Sequence, residues 1–245
     1  MIKESIVDTL GKYVNVTNNQ IYSCSDNPPE IMHLGALQNF EQPDGYYIAG
    51  NTLYVLEHFE FDSTKATRKG SETRRDNNRI EREFNSVPPT DEGVVLRNSL
   101  NVQQNSNNYI KNSLKNMDSH YVKIESYLAN LKSYGLVQDT VKVGFFIEDT
   151  TMLGNVYDPQ GWNPVEPVIL CHCKHFLDKF EAYPKLDFCI CASTYSSQSF
   201  LWFIDKQSVL QYRDLEIDLT NIEILSFEPK VLGYKISIPS NNDKV

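Results

Sequence analysis

The sequence predicts an α/β fold: a mixed β-sheet flanked by helices, one domain over residues 1–245, with a β extension toward its C-terminal end. Apolar runs of strand length recur at "YYIAGNTLYVLEHFEF", "VKVGFFIED", "PVILCHC", "LDFCICAS" and "SFLWFID". Amphipathic helical stretches fall between them. No internal repeat and no clear linker divides the chain.

Taken in order, "MIKESIVDTLGKYV" sets Ile2, Ile6, Val7 and Leu10 at helical spacing. It lacks the basic start, long apolar stretch and small-residue cleavage site of a signal peptide, so the cytoplasm is the expected compartment. Pro28 and Pro29 open a second helical stretch reaching Phe40, with Ile31, Leu34 and Leu37 on one face. Gly50-Asn51 between two apolar runs spells a β-hairpin. An Asn- and Ser-rich stretch from Pro88 to Ser119 leads into a helix over Asp118–Tyr134, where Tyr121, Ile124, Tyr127, Leu128 and Leu131 recur at helical spacing and Gly135 ends the run. A short helix at "HFLDKFEAY" separates the strands "PVILCHC" and "LDFCICAS", and "DLEIDLTNIEILSF" supplies the β extension.

Residues 63–90 change character. From Ser63 to Asn85 there are seven cations (Lys65, Arg68, Lys69, Arg74, Arg75, Arg79, Arg82) and four acids (Glu72, Asp76, Glu81, Glu83). The window is therefore +3, and the rest of the chain carries −12 against a total of −9. With few apolar residues to anchor it, an exposed mobile loop or a frayed helix is expected.

Composition excludes several classes. No apolar run approaches the roughly 20 residues of a membrane span. Five cysteines cannot all pair within one chain, and four of them form Cys-x-Cys pairs inside apolar runs, which suits a reduced protein. Zinc on Cys171, His172, Cys173, His175, Cys189 and Cys191 is disfavoured, because Cys-x-Cys in a strand lacks the turn of a zinc knuckle. The net charge argues against a basic coat for nucleic acid but leaves room for a local basic patch.

The chemistry concentrates in "EQPDGYYIAGNTLYVLEHFEFD", Glu41 to Asp62. Strand alternation puts Glu57 on one face and His58, Glu60 and Asp62 on the other. A charge amid apolar neighbours is costly unless paired or used. "FFIEDTT" ends in the same way at Glu148-Asp149. The plain alternative is a solvated sheet end, with Pro43-Asp44-Gly45 a turn.

The order helix, acidic hairpin, helix, strand, with Pro43-Asp44, twelve intervening residues and then Glu57, resembles the PD-(D/E)XK nuclease superfamily over about residues 28–149. The resemblance implies a restriction endonuclease-like mixed sheet and a Mg²⁺- or Mn²⁺-dependent nuclease. Such an enzyme would hydrolyse phosphodiester bonds, DNA before RNA, in a restriction, repair or mobile-element setting. Asp44 and Glu57 would be metal ligands, with Glu30 on the preceding helix as a further one; Glu60 or His58 would join only where a bulge or the strand end turns it inward. Lys65, Arg68, Lys69, Arg74 and Arg75, following the catalytic strand, would contact phosphates. One position departs. Phe59 stands where the family has lysine, so Lys69 or Lys65, and more remotely Lys174, is expected to supply the cation. His58, Glu148 and Asp149 are further candidates. Without such a cation, the expectation is a catalytically inactive relative that binds nucleic acid or protein. No membrane partner is expected, and a homodimer is compatible with the reading.

Overall fold

The computed structural model describes residues 5–14, 20–23, 36–67, 70–86, 106–151, 156–157, 164–165, 169–195, 198–219 and 223–224. Its strands are β1 (Gln20–Ser23), β2 (Gln38–Asn39), β3 (Gly45–Ala49), β4 (Thr52–Phe61), β5 (Ala66–Thr67), β6 (Gly70–Ser71), β7 (Thr140–Asp149), β8 (Val156–Tyr157), β9 (Pro164–Val165), β10 (Phe188–Tyr195), β11 (Gln198–Asp205) and β12 (Glu223–Ile224). The helices are α1 (Ile6–Val14), α2 (Glu72–Ser86), α3 (Ser106–Tyr121), α4 (Ile124–Ser133), α5 (Lys174–Ala182) and α6 (Val209–Arg213).

Seven strands form one mixed sheet in the order β1-β11-β10-β7-β4-β3-β2. β4, β7 and β10 run parallel at its centre, joined by crossovers that carry α3 and α4, then α5. β3 and β4 form the predicted hairpin, with Gly50 at φ +55 in its turn. β5–β6 and β8–β9–β12 are two small separate sheets.

Alternation along the central strands builds two cores. Val55, Phe59 and Phe61 of β4, Phe145 and Ile147 of β7, and Cys189 and Cys191 of β10 pack with Tyr109 and Met117 of α3, Ile124 and Leu131 of α4, and Phe176 and Phe180 of α5. On the opposite face Leu56, Phe146 and Ile190 meet Ile6, Leu10 and Tyr13 of α1. The result is three layers, helix–sheet–helix. Gly144 is fixed by one close approach: the ring of Phe188 occupies the space a Cβ would take. No helix of the described residues is long and apolar enough to cross a membrane.

Three expectations are corrected and a fourth, for the basic segment, is narrowed. "PVILCHC" is not a strand at its described end: Leu170–His172 is a 3₁₀ turn, and Lys174 starts α5. Short apolar runs suit a buried turn as well as a buried strand. Here Leu170, Cys171 and Cys173 are buried by the turn, while Ile217 pairs with both sides of Cys173 (Ile217 N to His172 O, 2.7 Å; Lys174 N to Ile217 O, 3.1 Å).

The helix expected from Asp118 starts at Ser106 and breaks at Val122–Lys123. Its Asn and Ser residues read as loop-forming, but Ser106, Tyr109, Ser113 and Met117 form a buried stripe whose packing overrides weak propensity.

Of the two alternatives for the basic segment, loop or helix, the structure has the helix: α2, fifteen residues long. Ile80 is its buried anchor, and Arg79 bridges to Asp76 (3.5 Å) and Glu83 (2.8 Å) across successive turns. Four arginines face four acids in α2, so the helix is neutral and the net positive charge sits on Lys65, Arg68 and Lys69 before it. The helix expected from Pro28 to Phe40 is corrected at its described end, where Gln38–Asn39 is strand β2, paired with β3, and its start lies outside the described residues. Of the expected β extension, Asp214–Leu219 holds a turn and a single bridge at Ile217, β12 is a two-residue strand, and the part beyond Ile224 lies outside the described residues.

Candidate functional site

The hairpin brings Asp44 and Glu57 together. Gly45 pairs with Leu56, so Asp44 sits opposite Glu57 just ahead of β3. The Asp44 backbone N–H donates to Glu57 Oε2 (3.3 Å), and the His58 backbone N–H donates to Asp44 Oδ2 (2.9 Å). Asn130 of α4 holds the preceding turn by donating to the Gln42 carbonyl at 2.6 Å. Both acids are buried, at 9% and 8% exposure, in a place that propensity alone would give to apolar residues.

Two residues absent from the sequence-based candidates complete the group. His120 of α3 lies with Nδ1 2.8 Å from Glu57 Oε1, and the Tyr127 hydroxyl of α4 donates to the same oxygen at 2.7 Å. Burial, then the hydrogen bond to Glu57, then the charges of Glu57 and Asp44 push the Tyr127 hydroxyl far above its ordinary pKa, so it remains a donor. The His120 ring stacks on Phe59 at 4.8 Å between centroids and 15° between planes. Phe59, two residues after Glu57 on the same strand, thus forms the platform for a histidine from another element. A carboxylate accepting from Nδ1–H fixes the imidazole tautomer and leaves Nε2 as the proton-accepting nitrogen.

The other candidates fall elsewhere. His58 and Glu148 meet on the α1 face, Nε2 to Oε2 at 3.2 Å, with Tyr13 OH on Glu148 Oε1 at 2.6 Å and the His58 ring stacked on Phe146. Burial raises the Glu148 carboxyl, but the bonds from His58 and Tyr13 and the nearby cations bring it below its ordinary value. Glu60 is exposed, on the face opposite Glu57 and opposite Glu148 in register, so it does not join Asp44 and Glu57. Lys65 lies past the far end of β4; Phe61 alone is roughly 13 Å along the strand from Glu57 at about 3.3 Å per residue. Lys174 is exposed at the start of α5. Asp149 is buried at the end of β7 against Tyr109. Arg75 is exposed on α2; Arg74 belongs to the same helix, its side chain outside the described set. Glu30, Arg68 and Lys69 lie outside the described residues.

The donor set at Asp44 and Glu57 is oxygen from carboxylates, which fits a hard cation such as Mg²⁺ held through one or two carboxylates and its own waters. It does not suit an ion that needs a full protein cage: among the described residues no three His, Cys, Asp or Glu side chains are grouped to share a metal. Compared with protein-family models, with curated proteins and with solved structures, the chain finds no match.

Proposed function

We propose that the chain is a metal-dependent nuclease of restriction endonuclease-like fold, with Asp44 and Glu57 at its active site and His120 as the basic group. The observation that carries the reading is the contact of His120 Nδ1 with Glu57 Oε1 while its ring rests on Phe59. The element order supports it too: α1, the β3–β4 hairpin bearing both acids, the helices α3 and α4, then β7.

Mg²⁺ or Mn²⁺ at Asp44 and Glu57 would supply Lewis acidity toward the phosphate and its leaving oxygen. The chain's own residues do the rest. Glu57 orients His120, and Nε2 of that ring takes the proton from the attacking water. The Tyr127 hydroxyl and the Asp44 N–H keep the Glu57 carboxylate in one geometry. DNA is the favoured substrate, and Lys65 and the exposed Arg75 are the described side chains that would neutralise its backbone.

A second reading, a catalytically inactive nucleic-acid- or protein-binding relative, is favoured by one observation. Three protein donors already address Glu57, which resembles a structural carboxylate as much as an open ligand. Incubating plasmid and single-stranded DNA with the protein and Mg²⁺ or Mn²⁺ separates the two. Cleavage that Asp44→Asn and Glu57→Gln each reduce by about 10²-fold or more supports the nuclease. DNA binding without cleavage under every metal condition replaces it with the binding module.

A further inference from the structure

Helix α2 borders a cavity that the proposed catalysis does not use. Its volume is about 600 Å³, the size of a small-molecule site, and its described lining is Arg75, Asp76, Asn78, Arg79, Arg82 and Glu83. Helical spacing explains the grouping. Arg75, Arg79 and Arg82 follow at steps of four and three, so they stand within about 60° of one another around the axis, and the stripe runs roughly 10.5 Å along it. Asp76 and Glu83 fall between that stripe and the buried Ile80.

The middle arginine is engaged and the outer two are not. Arg79 donates to Asp76 Oδ1 through Nε (3.5 Å) and to Glu83 Oε1 through Nη1 (2.8 Å), so the acids of the lining already meet a cation. The Arg82 Nε–H donates to the Asn78 backbone carbonyl at 2.9 Å, which leaves both terminal nitrogens without a partner among the described residues. Arg75 has neither ion pair nor hydrogen bond among them. An exposed arginine that only water serves is ordinary. Two unengaged guanidinium forks on one ligand-sized cavity, with its carboxylates held by a third arginine, make a donor set for an anion. The planar fork matches phosphate oxygens two at a time. Because α2 is neutral as a whole and the chain carries −9, the field favours a compact anion held by two forks over a long polyanion.

We propose that this cavity binds the phosphate chain of a nucleoside di- or triphosphate, with Arg75 and Arg82 on its phosphates and Arg79 keeping Asp76 and Glu83 from repelling it. The Asn78 carboxamide, with donors and an acceptor, is the lining group left for the sugar or base. Nothing here draws on Asp44, Glu57 or a metal ion, so the site stands apart from the nuclease reading. Arg75 figures in both, and Arg82 in this site alone.

Calorimetric titration of the full chain with ATP in chelator tests this, with inorganic triphosphate, adenosine and an oligonucleotide as comparison ligands. ATP and inorganic triphosphate should bind, and adenosine should not at the same concentrations. Arg75→Ala and Arg82→Ala, both at exposed positions, should each weaken ATP at least about tenfold, as loss of a charge-assisted hydrogen bond does. Arg82→Lys, which keeps the charge but not the fork, should fall between. Arg79→Ala should weaken ATP too, and adding Asp76→Asn and Glu83→Gln should restore most of that loss, a recovery that a purely structural arginine would not show. In the unaltered protein ATP should shift the Arg82 Nε–H resonance, a readout that needs no variant to fold. Plasmid cleavage with Mg²⁺ should be the same in Arg82→Ala as in the unaltered chain, so failure of this site and failure of the nuclease are read separately. No ATP uptake at millimolar concentration overturns the proposal, as does uptake that both alanine variants leave intact. Binding of the oligonucleotide through Arg82 without binding of ATP also overturns it, in favour of a strand-binding face.

Discussion

Replacing Asp149 by asparagine should alter how stability depends on pH, and the size of the change follows from its surroundings. The carboxyl is buried, so its folded pKa of about 6 stands roughly two units above the ordinary aspartate value of about 3.9. The folded chain therefore holds this proton more tightly than the unfolded chain does. Its contribution is fully present below about pH 4 and is lost as pH rises through about 6, at a cost near 3 kcal/mol, from about 1.4 kcal/mol per unit. The amide introduced by Asp149→Asn would still offer an oxygen to the Thr151 N–H and would never ionise. Urea melts of both proteins in chelator, from pH 4 to pH 7, read the difference directly. The unfolding free energy of Asp149→Asn relative to wild type should climb by about 2 kcal/mol across that range, the rest of the full value lying below pH 4. Taking the difference cancels the opposing carboxylates, such as Glu148 and Asp118, whose pKa values are lowered. A difference flat to within about 0.5 kcal/mol would refute the claim that burial raises the Asp149 carboxyl in the folded chain.

Tyr127→Phe removes one of three donors to Glu57 and should cost about 1.5–3 kcal/mol in a denaturant melt, the range for a hydrogen bond to a charged group; no loss would mean that solvent replaces it freely. Gly144→Ala drives a methyl into the Phe188 ring and should destabilise by about 1–3 kcal/mol, with part recovered when Phe188→Leu is added. Unchanged stability in the single variant would show that the ring moves aside at no cost. If Lys65 and Arg75 contact phosphates, alanine at each should lower DNA affinity regardless of sequence and flatten the log–log salt slope by about 0.9 per contact, as read by fluorescence anisotropy at several salt concentrations. An unaltered slope would remove both from the interface.

The hairpin was legible because Gly50-Asn51 and the alternation of "LYVLEHFEF" are local signals, and they were enough to set Asp44 against Glu57. His120 was not, although a trace of it is in the sequence. Ser113, Met117, His120, Ile124, Tyr127 and Leu131 recur at steps of three and four, and His120 and Tyr127 are the titratable residues in that stripe. The trace is easily missed because the helix is broken at Val122–Lys123, and because its Asn- and Ser-rich first half reads as loop. The basic side chain beside Glu57 therefore comes from a helix, a long-range contact that spacing along one segment cannot encode. The "HFEFD" alternation correctly separated Glu57 from His58, and His58 then met Glu148, a pairing that depends on the parallel register of β4 and β7. Charge counting identified the basic window but not its order, since the ion pairs that support α2 appear only once helical spacing is imposed.

Whether Asp44 and Glu57 hold a catalytic cation is read most directly from crystals of the protein equilibrated with Mn²⁺, by anomalous difference density. The expected result is a peak at a metal–oxygen distance of about 2.1–2.2 Å from a carboxylate oxygen of Asp44 and of Glu57, with His120 still stacked on Phe59 and outside the coordination sphere. Density lacking that peak at saturating Mn²⁺, with Glu57 still bound to His120, Tyr127 and the Asp44 N–H, would contradict it and leave the carboxylate a structural one.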